Sequence, residues 1–327
     1  MSDAEQQMQV LRYAVRFLTP AFLGNAEQAG QWRTPPFKAL LRQWWRVVWA
    51  ARHDPNDTRQ MRADEGKLFG NAWLDGEHRK SEVRLRLSDW SQGQLTQENW
   101  RSLGSTRTSG RRPSRNARGG GGFDGMLYAG YGLLKSASEI ERPRAISCDE
   151  RSTISIALPS HALDDIRRAL VLIDLYGALG GRSRNGWGSV SLEAQGENEA
   201  PSPAAYPILR PLDQALNLNW PHAIGQDQEG PLIWQTKSKY KDWRELMSKL
   251  GEIRKEIRKV DKIPKGGGRL PNAIRFKARA ADESSSQLVG VAFHLPCKPG
   301  EKAEAVPSND WCRLHKKLDD LLERTER

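Results

Sequence analysis

The chain holds only three cysteines, Cys148, Cys297 and Cys312, odd in number and far apart. No C-x-x-C spacing occurs, so neither a zinc site nor a disulfide framework is expected. The histidines His53, His78, His161, His222, His294 and His315 form no H-E-x-x-H or related metal-ligating pattern. No G-x-S-x-G nucleophile elbow is present, and no glycine loop closes with Gly-Lys-Ser/Thr. No apolar run approaches the roughly 18 residues of a membrane span, and no signal-like stretch opens the chain. The expectation is a cytoplasmic protein with no metal, no cofactor and no membrane contact.

Acid is also scarce where base is dense. The net charge is +11 over 327 residues, with arginine outnumbering lysine. Such a balance favours acidic partners, nucleic acid above all, and arginine suits bidentate phosphate contacts. The length predicts two domains. Twelve tryptophans supply core bulk, base-stacking surface, or both.

The most informative stretch is Leu175–Val190, LYGALGGRSRNGWGSV, with Gly177, Gly180, Gly181, Gly186 and Gly188 around Arg182 and Arg184. Helical periodicity precedes it over Ala162–Leu179, and strand-like alternation follows in Ser189–Glu193. A nucleotide-binding glycine loop runs in the opposite order, strand before helix, and Gly186 is followed by Trp187. A simple C-cap accounts for one or two glycines. Five glycines with two arginines predict close approach of another backbone, favourably a phosphate chain. Trp187 is a candidate to stack on a base.

Strand 11–18 ends at Thr19-Pro20. A helix is predicted from Thr34, with Pro35 and Pro36 in its first positions, to Ala51. Lys38, Arg42 and Arg46 recur every four residues on one face, at a repulsive cost unless something anionic offsets them. That anion is either an acidic side chain elsewhere in the chain or a nucleic-acid backbone. Asp54–Gly66 reads as a polar loop, 82–87 and 153–158 as strands, and Met126–Leu134 as a strand or loop edge. From Arg101 to Phe123 there is no acid, six arginines including Arg111 and Arg112, and a run of four glycines. This reads as a mobile basic insertion, Leu103–Gly122 above all, either solvated or contacting nucleic acid.

Strand, helix, strand, strand, helix, strand is the order of a ferredoxin-like α+β sandwich. After a Pro/Ala-rich linker near 197–211 the pattern repeats weakly. Strand 231–235, helix 243–260, a basic glycine loop 265–269, hairpin strands 273–280 and 288–295, and a terminal helix 310–324 compose it. The reading is two ferredoxin-like units in tandem, 1–196 and 205–327.

Thr34-Pro-Pro-Phe-Lys-Ala-Leu-Leu-Arg-Gln-Trp-Trp-Arg46 together with Gly180-Gly-Arg-Ser-Arg-Asn-Gly-Trp-Gly-Ser-Val190 resembles the RAMP superfamily of CRISPR-associated proteins. Phe17-Leu-Thr-Pro-Ala-Phe-Leu-Gly24 and Leu68-Phe-Gly70 look like further signatures of that family. Within it the chain is most similar to the first Cmr subunit of type III-B effector complexes. Arg269-Leu-Pro-Asn-Ala-Ile-Arg-Phe-Lys277 and Gly290-Val-Ala-Phe-His-Leu-Pro296 fit that subunit's second half.

The resemblance implies a role in an RNA-guided antiviral complex, near the guide's 3′ end, with guide RNA, target RNA and sister subunits as partners. Family members that cut target RNA carry an acid in the loop near the first strand, where this chain has only Glu27. Guide-processing relatives use a histidine near the first helix, where only His53 lies close. The expectation is a non-catalytic RNA-binding subunit. Its predicted contacts are Lys38, Arg42, Arg46, Gly180, Gly181, Arg182, Arg184, Gly186, Trp187, Arg111 and Arg112, with first helix and glycine loop forming one site. An endoribonuclease using His53 or Glu27, and an assembly protein meeting acidic sister subunits, are the alternatives.

Overall fold

The computed structural model of the chain describes residues 8–74, 77–104, 124–196, 208–261, 273–282, 286–298 and 308–325. Its first half is built on β1 (Met8–Phe17), whose Leu11, Tyr13, Val15 and Phe17 are buried in alternation. Helix α1 (Thr34–Ala50) starts after an extended Arg33 with proline in its first turn, where the missing N–H costs no hydrogen bond. Then come α2 (Thr58–Phe69), β2 (Arg84–Leu87), β3 (Arg151–Pro159), α3 (Leu163–Tyr176) and β4 (Val190–Ala194). The strands pair antiparallel in the order β4-β1-β3-β2.

The second half repeats the plan with β5 (Ile233–Gln235), α4 (Trp243–Val260), β6 (Ile274–Ala280), β7 (Leu288–His294), α5 (Ser308–Leu321) and β8 (Glu323–Arg324). Its order is β6-β7-β5-β8, again all antiparallel. Numbered within its own half, each sheet runs fourth, first, third, second. The fold is α+β, ferredoxin-like in both halves.

Burial layers the molecule. Sheet β4-β1-β3-β2 packs one face on α1 and α3. On their other side those helices meet the second sheet, where Phe293 touches Trp44 and Tyr176 at ring-centroid distances of 6.3 and 5.0 Å. Trp234, Phe276 and Ala292 face the opposite way, onto α4 and α5. Sheet, helix pair, sheet, helix pair therefore stack in that order. No helix among the described residues is long and apolar enough to cross a membrane.

Several expectations need correction. Thr58–Phe69 is a helix rather than a polar loop, capped by the Asp57 carboxylate accepting from the Gln60 N–H at 2.9 Å. Gly125–Ala129 is a short helix, capped in the same way by Asp124. Helix α3 stops at Tyr176, with Gly177 as its C-cap, rather than running to Leu179. The linker region already contains a strand, Leu209–Pro211, paired parallel to Ile224–Asp227. Arg101 belongs to a helix, Gln97–Gly104. Residues 105–123, with Arg111 and Arg112, lie outside the described residues, as do most of the 197–211 stretch and the 265–269 loop.

Candidate nucleic-acid interface

The glycine stretch 177–189 is the seam between the two halves. Gly180, Gly186 and Gly188 have φ of +91°, +95° and +63°, the left-handed region open to glycine. They bring the loop against the chain's own backbone. The Gly181 N–H donates to the Phe22 carbonyl at 3.1 Å, and that of Gly188 to Pro20 at 3.0 Å. Thr19 Oγ1 donates to the Gly186 carbonyl at 2.6 Å and accepts from the Ser189 N–H. On the other side the Phe276 N–H of β6 donates to the Arg184 carbonyl at 2.9 Å, and the Ala278 N–H to Ser189 Oγ. The backbone these glycines admit is therefore internal, which corrects the expectation that they are spaced for a phosphate chain.

Trp187 is corrected too. It is fully buried, with Phe22, Trp100 and Trp243 at ring-centroid distances of 5.7, 6.3 and 5.9 Å. It ties helix Gln97–Gly104 and α4 to the seam and offers no face to a base.

The basic face of α1 resolves in favour of an internal anion. Glu65 of α2, 4% exposed, accepts from Arg42 Nε at 3.1 Å and from Arg46 Nε and Nη2 at 2.8 Å each. Lys38 Nζ donates to Ser81 Oγ at 2.8 Å. Burial pushes the Glu65 carboxyl up, but the Arg46 and Arg42 hydrogen bonds overcome it and hold it below its ordinary value. Glu65→Gln is expected to cost about 1–2 kcal/mol in urea unfolding at pH 7, the arginines being partly exposed. A depressed carboxylate contributes its stability above its unfolded value and loses it on acidification. The wild-type advantage should therefore shrink below about pH 4.

The residues of α1 that do meet the loop lie on a different face. Leu40, Gln43 and Trp44, at helical spacing, line a cavity of about 210 Å³ with Tyr176, Ala178, Ser183, Arg184, Arg275 and Phe276. Arg184 is exposed at its rim. Burial, reinforced by the Arg184 charge, lowers the Arg275 guanidinium to about 10. Gln43 Nε2, Trp44 Nε1 and Arg275 Nε are buried donors with no hydrogen-bond partner among the described residues. Two cations and three spare donors make this cleft fit for an oxyanion. Arg182, exposed at φ +54°, donates from Nε to the Tyr131 carbonyl at 2.6 Å and lies over the exposed Tyr131 ring. Gln43 escaped sequence reasoning because a lone amide beside tryptophans carries no signal. Arg275 stood inside a quoted motif, and only the pairing of β6 with the loop brings it here.

His53 stands at the wrong end of α3. Its neighbour Arg52 pairs with Asp164 and Asp165 at the start of that helix, both at 2.6 Å. The glycine seam follows the helix's other end, about 21 Å away along 14 residues. Glu27 is exposed in the turn Asn25–Ala29.

Residues 15–191 match the family model of the RAMP superfamily. Among solved structures the chain is similar to the crystal structure of Cmr1 from Pyrococcus furiosus in its apo form. The identity is 12%, the coverage 96% of this chain and 97% of that one, and the TM-score 0.51. The search of curated proteins returned no match.

Proposed function

Because the chain belongs to the RAMP superfamily, we propose that it is an RNA-binding subunit of a type III CRISPR effector complex and does not itself cut RNA. The observation that carries this reading is the cationic cleft at the seam, with Arg184 at its rim, Arg275 inside and Arg182 alongside. Guide RNA, target RNA and sister subunits are the proposed partners, and the cleft takes a phosphate of one of those RNAs. Acid–base cleavage needs a titratable group within hydrogen-bond reach of the scissile phosphate. The cleft lining supplies arginine, glutamine, serine and aromatic side chains. The histidine that family analogy points to lies a helix length away.

Salt dependence tests the reading. Each phosphate neutralised on a single strand adds about 0.7 to the log–log salt slope. Arg182→Ala/Arg184→Ala is therefore expected to flatten the slope for single-stranded RNA by about 1–1.5, with the circular dichroism spectrum unchanged. An unchanged slope and affinity would remove the cleft from the reading. Cleavage of labelled RNA by the purified chain, abolished by His53→Ala or Glu27→Ala, would overturn the non-catalytic part.

A further inference from the structure

Among the described residues, the second sheet and the two helix pairs leave one large face uncovered, the outer face of β4-β1-β3-β2. Inward residues of these strands are core: Leu11, Tyr13, Val15 and Phe17 on β1, and Ile154, Ile156 and Leu158 on β3. The outward set is fixed by the same registers. Arg12 stands opposite Ser155, which stands opposite Arg86. In the next row Val10 faces Ala157, which faces Arg84. Towards the other end Arg16 faces Arg151 on β3 and Ser191 on β4. Arg12, Arg84, Arg86 and Arg151 are exposed and Arg16 is half-buried.

Five arginines thus share one face, with small residues between them. Strand spacing sets Arg12 and Arg86 about 10 Å apart, and Arg84 about 7 Å from Arg86. The acid in these rows is Glu193, opposite Ala14. No ion pair among the described residues joins Arg16, Arg84, Arg86 or Arg151 to an acid. Arg16 and Arg151 are directly opposed, an arrangement that destabilises a sheet by itself.

We infer that this open sheet face is a second nucleic-acid surface, one that holds the phosphodiester backbone and not the bases. Protein–protein interface cores combine arginine with aromatic anchors, and these rows hold five arginines with serine and alanine between them and no aromatic. Nucleic-acid interfaces are polar and strongly positive. Four-stranded sheets that read RNA bases do so with stacking aromatics. The outward rows hold arginine, serine, threonine, alanine, the exposed Met8 and Val10, and Glu193, but no aromatic, so the contact is to phosphate and independent of sequence. The face shares no residue with the cleft, so each can fail alone.

The test uses the full chain with fluorescein-labelled RNA, single-stranded or as a duplex, and with poly-glutamate as an acidic protein surrogate. Arg16→Gln/Arg84→Gln/Arg86→Gln removes three charges from the face, one of them half-buried, and circular dichroism with urea unfolding checks the fold. The triple variant is expected to bind RNA about tenfold more weakly near 0.1 M salt and to flatten the single-strand salt slope by about two. The Arg→Lys triple should retain the slope. The form of RNA that loses more affinity identifies whether a lone strand or a duplex occupies the face. Unchanged RNA binding in the Gln triple overturns this inference and leaves the cleft standing. Loss of poly-glutamate binding with RNA binding intact also overturns it, in favour of a protein partner. Loss in the triple with Arg182→Ala/Arg184→Ala unaffected supports the sheet face and removes the cleft. No RNA binding by the wild-type chain overturns both.

Discussion

Gly188→Ala is expected to destabilise the protein by about 3–5 kcal/mol, read as a fall in the urea midpoint at constant m-value. Two separate costs meet at this residue. Its φ of +63° disfavours any side chain by about 1–2 kcal/mol. A Cβ there would also lie 1.9 Å from the Leu179 carbonyl oxygen and 3.4 Å from Ala21 Cβ. The loop cannot yield, because the Leu179 N–H donates to the Gly188 carbonyl at 2.8 Å while the Gly188 N–H donates to Pro20. Relief of the clash would break the bonds that close 177–190 on the segment after β1. Gly196 is the control. It has φ +76° and nothing within 4 Å of a built Cβ, so Gly196→Ala carries the conformational cost alone. If the two variants fall within about 1 kcal/mol of one another, the close approach at Gly188 is not what the glycine is for.

The same loop shows why sequence reasoning succeeded with the fold and faltered at the site. Alternation in β1, β3 and β6 and the apolar stripes of α1, α3 and α4 are local patterns, and each half of the ferredoxin-like order follows from them. Helix α2 was invisible to that logic. What it buries beside Met61, Leu68 and Phe69 is Glu65, and its packing against α1 is ionic as well as apolar. Charge periodicity on α1 was real, but its anion lay 19 and 23 residues further along the chain and not on a ligand. Trp187 reads equally as core or as stacking surface until Trp100 and Trp243 are placed around it. Helix Gly125–Ala129 exists partly because Gly125 and Gly251 let its backbone meet α4. A Cβ on Gly251 would sit 1.8 Å from the Gly125 carbonyl oxygen. Arg275 and Gln43 in the cleft, and the arginines of the sheet face, become sets only through pairing between distant parts of the chain, and no local pattern encodes that.

Lys277 is where the two halves are held together, and its titration gives the other large effect. It sits on β6, fully buried. Its ammonium donates to the Ile173 and Val190 carbonyls at 2.8 and 2.7 Å and also to that of Asp174. Two of these carbonyls lie in the last turn of α3, where intrahelical donors run out and the dipole favours a cation. Burial lowers its pKa to about 7, with the Asp174 carboxylate opposing the shift and Arg279 adding to it. The unfolded chain keeps the ordinary value near 10.5. Between these values the unfolded state binds the proton that the folded state has released, so stability rises with pH from about 7 and is flat below it. Lys277→Met fills similar space and cannot titrate. It removes a donor shared by three carbonyls, of which that of Ile173 still accepts from the Gly177 N–H at 2.7 Å, and a single buried acceptor left unmet costs about 1–3 kcal/mol. The wild type is therefore expected to exceed Lys277→Met by about 1 kcal/mol at pH 6 and by about 3 at pH 9, since one pH unit inside the window is worth up to about 1.4 kcal/mol. Titrations elsewhere in the chain cancel in that difference. A gap that stays level from pH 6 to 9 would show that the buried amine keeps its proton throughout. Because Lys277 is two residues from Arg275 on the same strand, amide exchange in the variant should rise first at Leu179 and Phe276, whose N–H groups close the seam.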